Sequence, residues 1–106
     1  MLKLTLNGSL GQDAEVKQVG NRKAINFSVA VSQDYRDGEG KKVERTEWVR
    51  AVIWKTENQS AKIAEYLKKG QRVLLEGTPS SESFKGKDGE THNYLHINVK
   101  ELELLN

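Results

Sequence analysis

Leu2, Leu4 and Leu6 alternate with Lys3, Thr5 and Asn7 at the start of the chain, the two-residue period of a half-buried strand. The pattern predicts a first strand that breaks at Gly8, where a kink or bulge costs little. It resumes through Leu10, Gly11 and Val16 after a short irregular piece, and Gly20-Asn21 marks a turn. Ile25, Phe27, Val29 and Val31 then alternate with Asn26, Ser28, Ala30 and Ser32, which predicts a strand over Lys23–Gln33. Asp34 to Lys42, DYRDGEGKK, reads as a charged loop with two glycines and one aromatic, Tyr35. That ring either caps the edge of the core or stands free to stack.

Val43 to Trp54, VERTEWVRAVIW, reads as a long strand free of Gly and Pro. Alternation puts Val49, Ala51 and Ile53 on one apolar face. Thr46, Trp48, Arg50, Val52 and Trp54 share the other. Two large aromatics therefore lie about 20 Å apart, at ~3.3 Å per residue, with a cation between them. A core does not want that arginine, and a plain solvated face does not want two tryptophans. Either the rings are half-buried against a helix or a partner subunit, or they face an unpaired nucleic-acid strand, whose bases stack on rings and whose phosphates meet cations.

Ala61, Ile63, Ala64 and Leu67 give a helical stripe, with Asn58 or Ser60 as a cap and Gly70 as a stop. This predicts one α-helix within Lys55–Lys69, plugging one end of a small sheet or barrel. Gln71 to Gly77 reads as a strand with Val73 and Leu75 inward, broken or edged by Pro79 and Ser80-Ser81. A hairpin follows Phe84 through Asp88-Gly89. The last strand is predicted from about Thr91 to Glu101, with Leu95, Ile97 and Val99 inward. The order predicts an all-β OB-fold, a five-stranded antiparallel barrel with one α-helix between strands 3 and 4. An SH3-like barrel or a small α+β sheet would be its rivals.

The chain has 106 residues and forms one domain, residues 1–106, by the usual size priors. It is 36 % apolar and 30 % charged, so the sheet is thin and much of it exposed. Net charge is +2, too mild by itself to identify an anionic partner. The absence of Cys removes disulfides, zinc–thiolate sites and thiol nucleophiles, and fits a reducing compartment. No apolar run approaches the ~20 residues of a membrane span, and the amino terminus has no signal-peptide pattern. The expectation is a soluble, cytoplasmic protein without membrane contact.

His92 and His96 share a strand face with Tyr94, but no acidic or thiol partners complete a ligand set. They read as surface histidines. The glycines lie in hairpin tips rather than in phosphate-cradling loops. No nucleophile–base pair is apparent, so neither catalysis nor a cofactor is expected. The stronger pattern is aromatic: Tyr35, Trp48, Trp54 and Phe84 stand outside the alternating core. Arg36, Arg50, Lys55, Lys85 and Lys87 flank them, as a stacking surface for single strands requires. Asp37, Glu39, Glu44 and Glu47 dilute the local positive charge, which predicts a moderate salt dependence.

LNGSLGQDAEV, INFSVAVSQDYRD, ERTEWVRAVIW, AEYLKKGQRVLLEG and the Phe84-Lys85 hairpin followed by DGE resemble, in this order, the bacterial single-stranded DNA-binding protein family. The resemblance runs over about residues 4 to 100. Its specific part is TEW-x-R, then YLKKG, then a strand ending in EG. The resemblance implies an OB-fold, a homotetramer (or dimer) and single-stranded DNA wrapped over the surface. It implies that Tyr35, Trp48, Trp54 and Phe84 stack on bases, with Tyr35 and Phe84 standing where Trp is frequent in relatives. Val49 replaces the usual His after TEW, near a subunit contact. The segment Lys55–Ala61 looks slightly longer than usual. The family commonly carries a disordered linker and an acidic tip, and this sequence ends at Asn106 after its last strand. A naturally tailless relative or a piece of a longer one fits equally, and tail-dependent partner recruitment is not expected. The implied function is sequence-tolerant single-stranded DNA binding in replication, recombination or repair. The alternatives are a primosome-type interaction subunit and an RNA-binding OB domain.

Overall fold

The protein is described by a computed structural model covering residues 1–106. Eight strands and one short helix follow in order: β1 Leu4–Leu10, β2 Glu15–Val19, β3 Arg22–Ser32, β4 Tyr35–Arg36, β5 Lys42–Val43, β6 Thr46–Thr56, a 3₁₀ helix Lys62–Tyr66, β7 Arg72–Lys85 and β8 Thr91–Leu105. The main sheet runs β1-β7-β8-β6-β3-β2, and an added β1–β3 pairing closes five of these strands into a ring. β2 lies outside the ring, held only by β3, and every residue of it is exposed. This is the OB-fold.

The interior follows from the alternation. β3 and β6 pair antiparallel along their whole length, setting Ile25, Phe27 and Val29 opposite Ile53, Ala51 and Val49. All six are buried, together with Leu6, Leu10, Val73, Leu75, Ile97 and Val99 from the other ring strands. Burying such side chains contributes about 1.5–3 kcal/mol each for the larger ones, which is what holds so thin a sheet closed.

The first strand does not break at Gly8. β1 runs unbroken to Leu10, and the irregular piece follows at residues 11–14. Gly8 lies just before the point where β1 passes from β7, its partner from Leu4 to Ser9, to β3, which it joins at Ser9 and Leu10. A Cβ there would overlap the carbonyl oxygen of Ala30. Only glycine lets the two backbones approach this closely.

The predicted all-antiparallel barrel is also corrected. β6 and β8 pair parallel, Val49 with Leu95 through Val52 with Asn98. Strand directions cannot alternate around a ring with an odd number of members, so a five-stranded closure must contain at least one parallel pair.

The predicted α-helix reduces to the 3₁₀ turn Lys62–Tyr66, in the predicted place between the third and fourth long strands of the ring, counting β1, β3, β6 and β7. Residues 57–60 fold as a turn, in which the Gln59 side chain accepts the Thr56 N–H at 2.8 Å. Ser60 Oγ accepts the Lys62 N–H at 3.1 Å. Beyond the turn, the chain bonds to β1 and its flank instead of continuing the helix. Ala14 N–H donates to the Leu67 carbonyl at 2.8 Å and Gly70 N–H to that of Leu10 at 2.8 Å. Leu67, fully buried, plugs this end of the ring.

β7 continues past Pro79, further than predicted. β1 leaves the far edge of β7 unpaired after Gly77, the setting in which a strand tolerates proline. Glu76 pairs with Glu101 and Gly77 with Val99, leaving Lys100 as the extra residue of a bulge. β8 likewise extends to Leu105, so Leu102 and Leu104 still pair with β7. No helix is long and apolar enough to cross a membrane.

Candidate nucleic-acid interface

Residues directly opposite across a ladder share a face. The β3–β6 register sets Ala30, Ser28, Asn26 and Ala24 beside Trp48, Arg50, Val52 and Trp54. On the other flank of β6, His96 lies beside Arg50 and Asn98 beside Val52. β7 adds Thr78 beside Asn98, Ser80 beside His96, Glu82 beside Tyr94 and Phe84 beside His92. One outer face therefore carries both tryptophans, Phe84 and a run of polar side chains. Two adjoining depressions, of about 640 Å³ and 610 Å³, cover it. The first holds Trp48, Arg50 and Tyr94, the second holds Trp54 and Val52, and they share Asn26, Glu82 and His96. Together they form one groove.

The aromatic groups differ in how they are held. Trp48 is 53 % exposed. The six-membered end of its indole rests on Gly11, where a Cβ would lie 2.7 Å from Cζ3. Trp54 is half-buried, with the Arg22 guanidinium 4.5 Å from the centre of its ring system. Arg50 lies 4.0 Å from the Tyr94 ring centre and 5.6 Å from that of Phe84. Such contacts are cation–π interactions. Phe84 stacks on His92 at 5.3 Å with 26° between planes, and meets Tyr94 at 5.9 Å and 54°. The Tyr94 hydroxyl donates to Glu82 Oε2 at 2.6 Å. That bond to a carboxylate is the main reason the phenol ionises above its usual range.

Residues 1–105 match the Single-strand binding protein family. The chain belongs to that family. It is 42 % identical over 105 residues to the single-stranded DNA-binding proteins of two Neisseria meningitidis strains, covering 97 % of this chain and 59 % of theirs. It is 34 % identical over 106 residues to single-stranded DNA-binding protein 1 of Chlorobaculum tepidum, covering 97 % of this chain and 64 % of the relative. The chain thus spans about three-fifths of the length of these relatives. A solved structure described as a Plasmodium falciparum SSB complex with ssDNA superposes with a TM-score of 0.80. That pair is 26 % identical, over 100 % of this chain and 96 % of that one.

Within this single-strand binding fold, the residues singled out in the sequence are dispersed. Trp48, Arg50, Trp54 and Phe84 meet on the grooved face. Tyr35, 52 % exposed, stands on the separate two-stranded ribbon β4–β5. Arg36, beside it, donates to the Gly40 carbonyl of its own loop at 3.0 Å. Lys55 pairs with Lys23 and Lys85 with Thr91, each one step out of phase with the grooved face. Lys87 lies in the turn between β7 and β8. Arg50 lies across an aromatic ring, a position suited to continuing a stacking surface as well as to meeting a phosphate.

Other residues join the face that sequence reasoning did not single out. The β8 alternation already puts Tyr94 with His92 and His96. Arg22 and Lys17 give no signal until the register aligns them with Thr56 and Ala24. Val52 shares the outer face, yet is only 4 % exposed and stands apart from the interior core. It is the floor of the groove.

Proposed function

We propose that this chain binds single-stranded DNA with little dependence on sequence and shields it during replication, recombination or repair. Trp48, Trp54 and Phe84 stack on bases within the groove, and Tyr35 stacks from its ribbon. Arg36, Arg50, Lys55, Lys85 and Lys87 meet phosphates around it. The observation that carries this reading is the open groove with a tryptophan near each end and polar side chains between. A ring presented there takes any base, because every base has a stacking face. The family's named relatives and the DNA complex of a structural neighbour support the same reading. The protein acts without catalysis, works in the cytoplasm, and assembles as a homotetramer or dimer.

The test is tryptophan fluorescence during titration with oligo-dT, with matched duplex as the competitor. Strong quenching by the single strand and weak competition by duplex are expected. Equal binding of the two forms, or no quenching, would defeat the proposal.

A further inference from the structure

Stacking accounts for the walls of the groove but leaves its floor unexplained. One row crosses all five strands of the face: Glu15, Asn26, Val52, Asn98 and Thr78 lie side by side in register. At its middle is the buried Val52, with one asparagine on each side. Both amides are half-buried, and neither side chain makes a hydrogen bond within the protein. Both line the depression that contains Trp54. Their polar atoms are open to the cleft, where an outside partner can reach both donors and acceptor.

The spacing fits one such partner. Adjacent strands lie ~4.8 Å apart and their side chains stand roughly perpendicular to the sheet, so the Asn26 and Asn98 amides are about 10 Å apart across β6. Two hydrogen bonds of ~2.9 Å leave about 4 Å between the groups they contact, close to the span of a base's hydrogen-bonding edge. We infer that Asn26 and Asn98 hydrogen-bond the edge of the base stacked on Trp54, with Val52 as the apolar floor beneath it. Each amide carries both donors and an acceptor. By turning, it serves any of the four bases, so the contact adds affinity without imposing sequence. A lysine in the same place would serve acceptors alone.

This inference rests on the single-stranded DNA reading of the groove, and the experiment separates the two. Affinities of the intact chain and of Asn26→Ala/Asn98→Ala are measured at low salt. The ligands are a mixed-sequence oligonucleotide and an abasic oligonucleotide of equal length. Loss of two net hydrogen bonds lowers affinity for the normal strand about thirtyfold and leaves the abasic strand unaffected. Equal losses on both strands, or no loss on either, would overturn the role of the amides. Absence of binding by the intact chain would overturn the function itself. Thermal melting confirms that the variant is folded, and Asn98→Gln, which keeps the amide, should restore part of the loss if the contact is a hydrogen bond.

Discussion

Trp48 and Trp54 face the same groove under different constraints. Trp48 is open to solvent, whereas Trp54 already has Arg22 beside its ring. Replacing either with alanine should weaken binding of oligo-dT by about 1–3 kcal/mol, read by titration against the remaining tryptophan. Arg22→Ala should weaken it less, because only the support of one ring is lost. Tyr94 gives a separate handle. Its phenol is raised chiefly by the hydrogen bond to Glu82. A raised acid is stabilised in its protonated form, so this contribution is complete below the ordinary pKa of about 10 and lost as pH rises through the folded value. Ultraviolet titration should show the Tyr94 phenol ionising above the ordinary tyrosine value, and Glu82→Gln should lower it. At this scale the sequence is informative where period two suffices: Trp48, Arg50 and Trp54 share a face by counting alone. The burial of Val52 depends on its neighbours in β3 and β8, Asn26 and Asn98, which no local pattern specifies.

Among the elements, the β4–β5 ribbon is organised by two aspartates. Asp34 Oδ1 accepts the Arg45 N–H at 3.0 Å, and Lys42 lies 3.6 Å from its other oxygen. Asp37 Oδ1 accepts the N–H groups of Glu39 and Lys41, each at 2.9 Å. The Arg45 bond is the main cause holding the Asp34 carboxyl below its ordinary value. A depressed acid contributes stability above its unfolded pKa of ~3.9 and loses it as pH falls through the folded value. The protection of the Arg45 amide against exchange, taken relative to its intrinsic rate, should therefore fall as pH drops below about 4, and at neutral pH in Asp34→Asn. Gly8→Ala tests the β1 crossing. With the Ala30 carbonyl in the way, it should cost about 1–3 kcal/mol, seen as a lower denaturation midpoint. The stripe Ala61, Ile63, Ala64 and Leu67 correctly marks the connection but overstates its helix. A helical repeat of one turn reads alike in α and 3₁₀ form. What shortens it here is bonding from Ala14, remote in sequence, and from Gly70, the stop itself.

For the whole molecule, the order of long strands and the position of the helical turn could be read from alternation and glycine placement. The parallel β6–β8 contact could not, because it follows from closing an odd ring rather than from any residue. Charge acts at this scale too. Arg50, Arg22 and Lys17 are the cations on the grooved face, and Asp13, Glu15 and Glu82 line the same groove. The five phosphate contacts proposed for Arg36, Arg50, Lys55, Lys85 and Lys87 predict a slope of log K against log salt of about −3.5 on a single strand, well short of that of a strongly basic protein. Assembly has its own measure. The β1 edge away from β7 stays unpaired until Ser9, and Leu2 is 70 % exposed ahead of it. Open strand edges invite pairing. Light scattering should give the mass of a tetramer or dimer, and Leu2→Asp should shift it toward the monomer.

The bare backbone of Gly11 under Trp48 has a consequence for how such proteins diverge. Gly11 lines the groove beside Trp48, and even a methyl group there would lever the indole away from its seat. A substitution in the loop after β1 would then detune one end of the binding track while the barrel stayed intact. Affinity is adjustable here from beneath the ring, by a residue that has no side chain of its own.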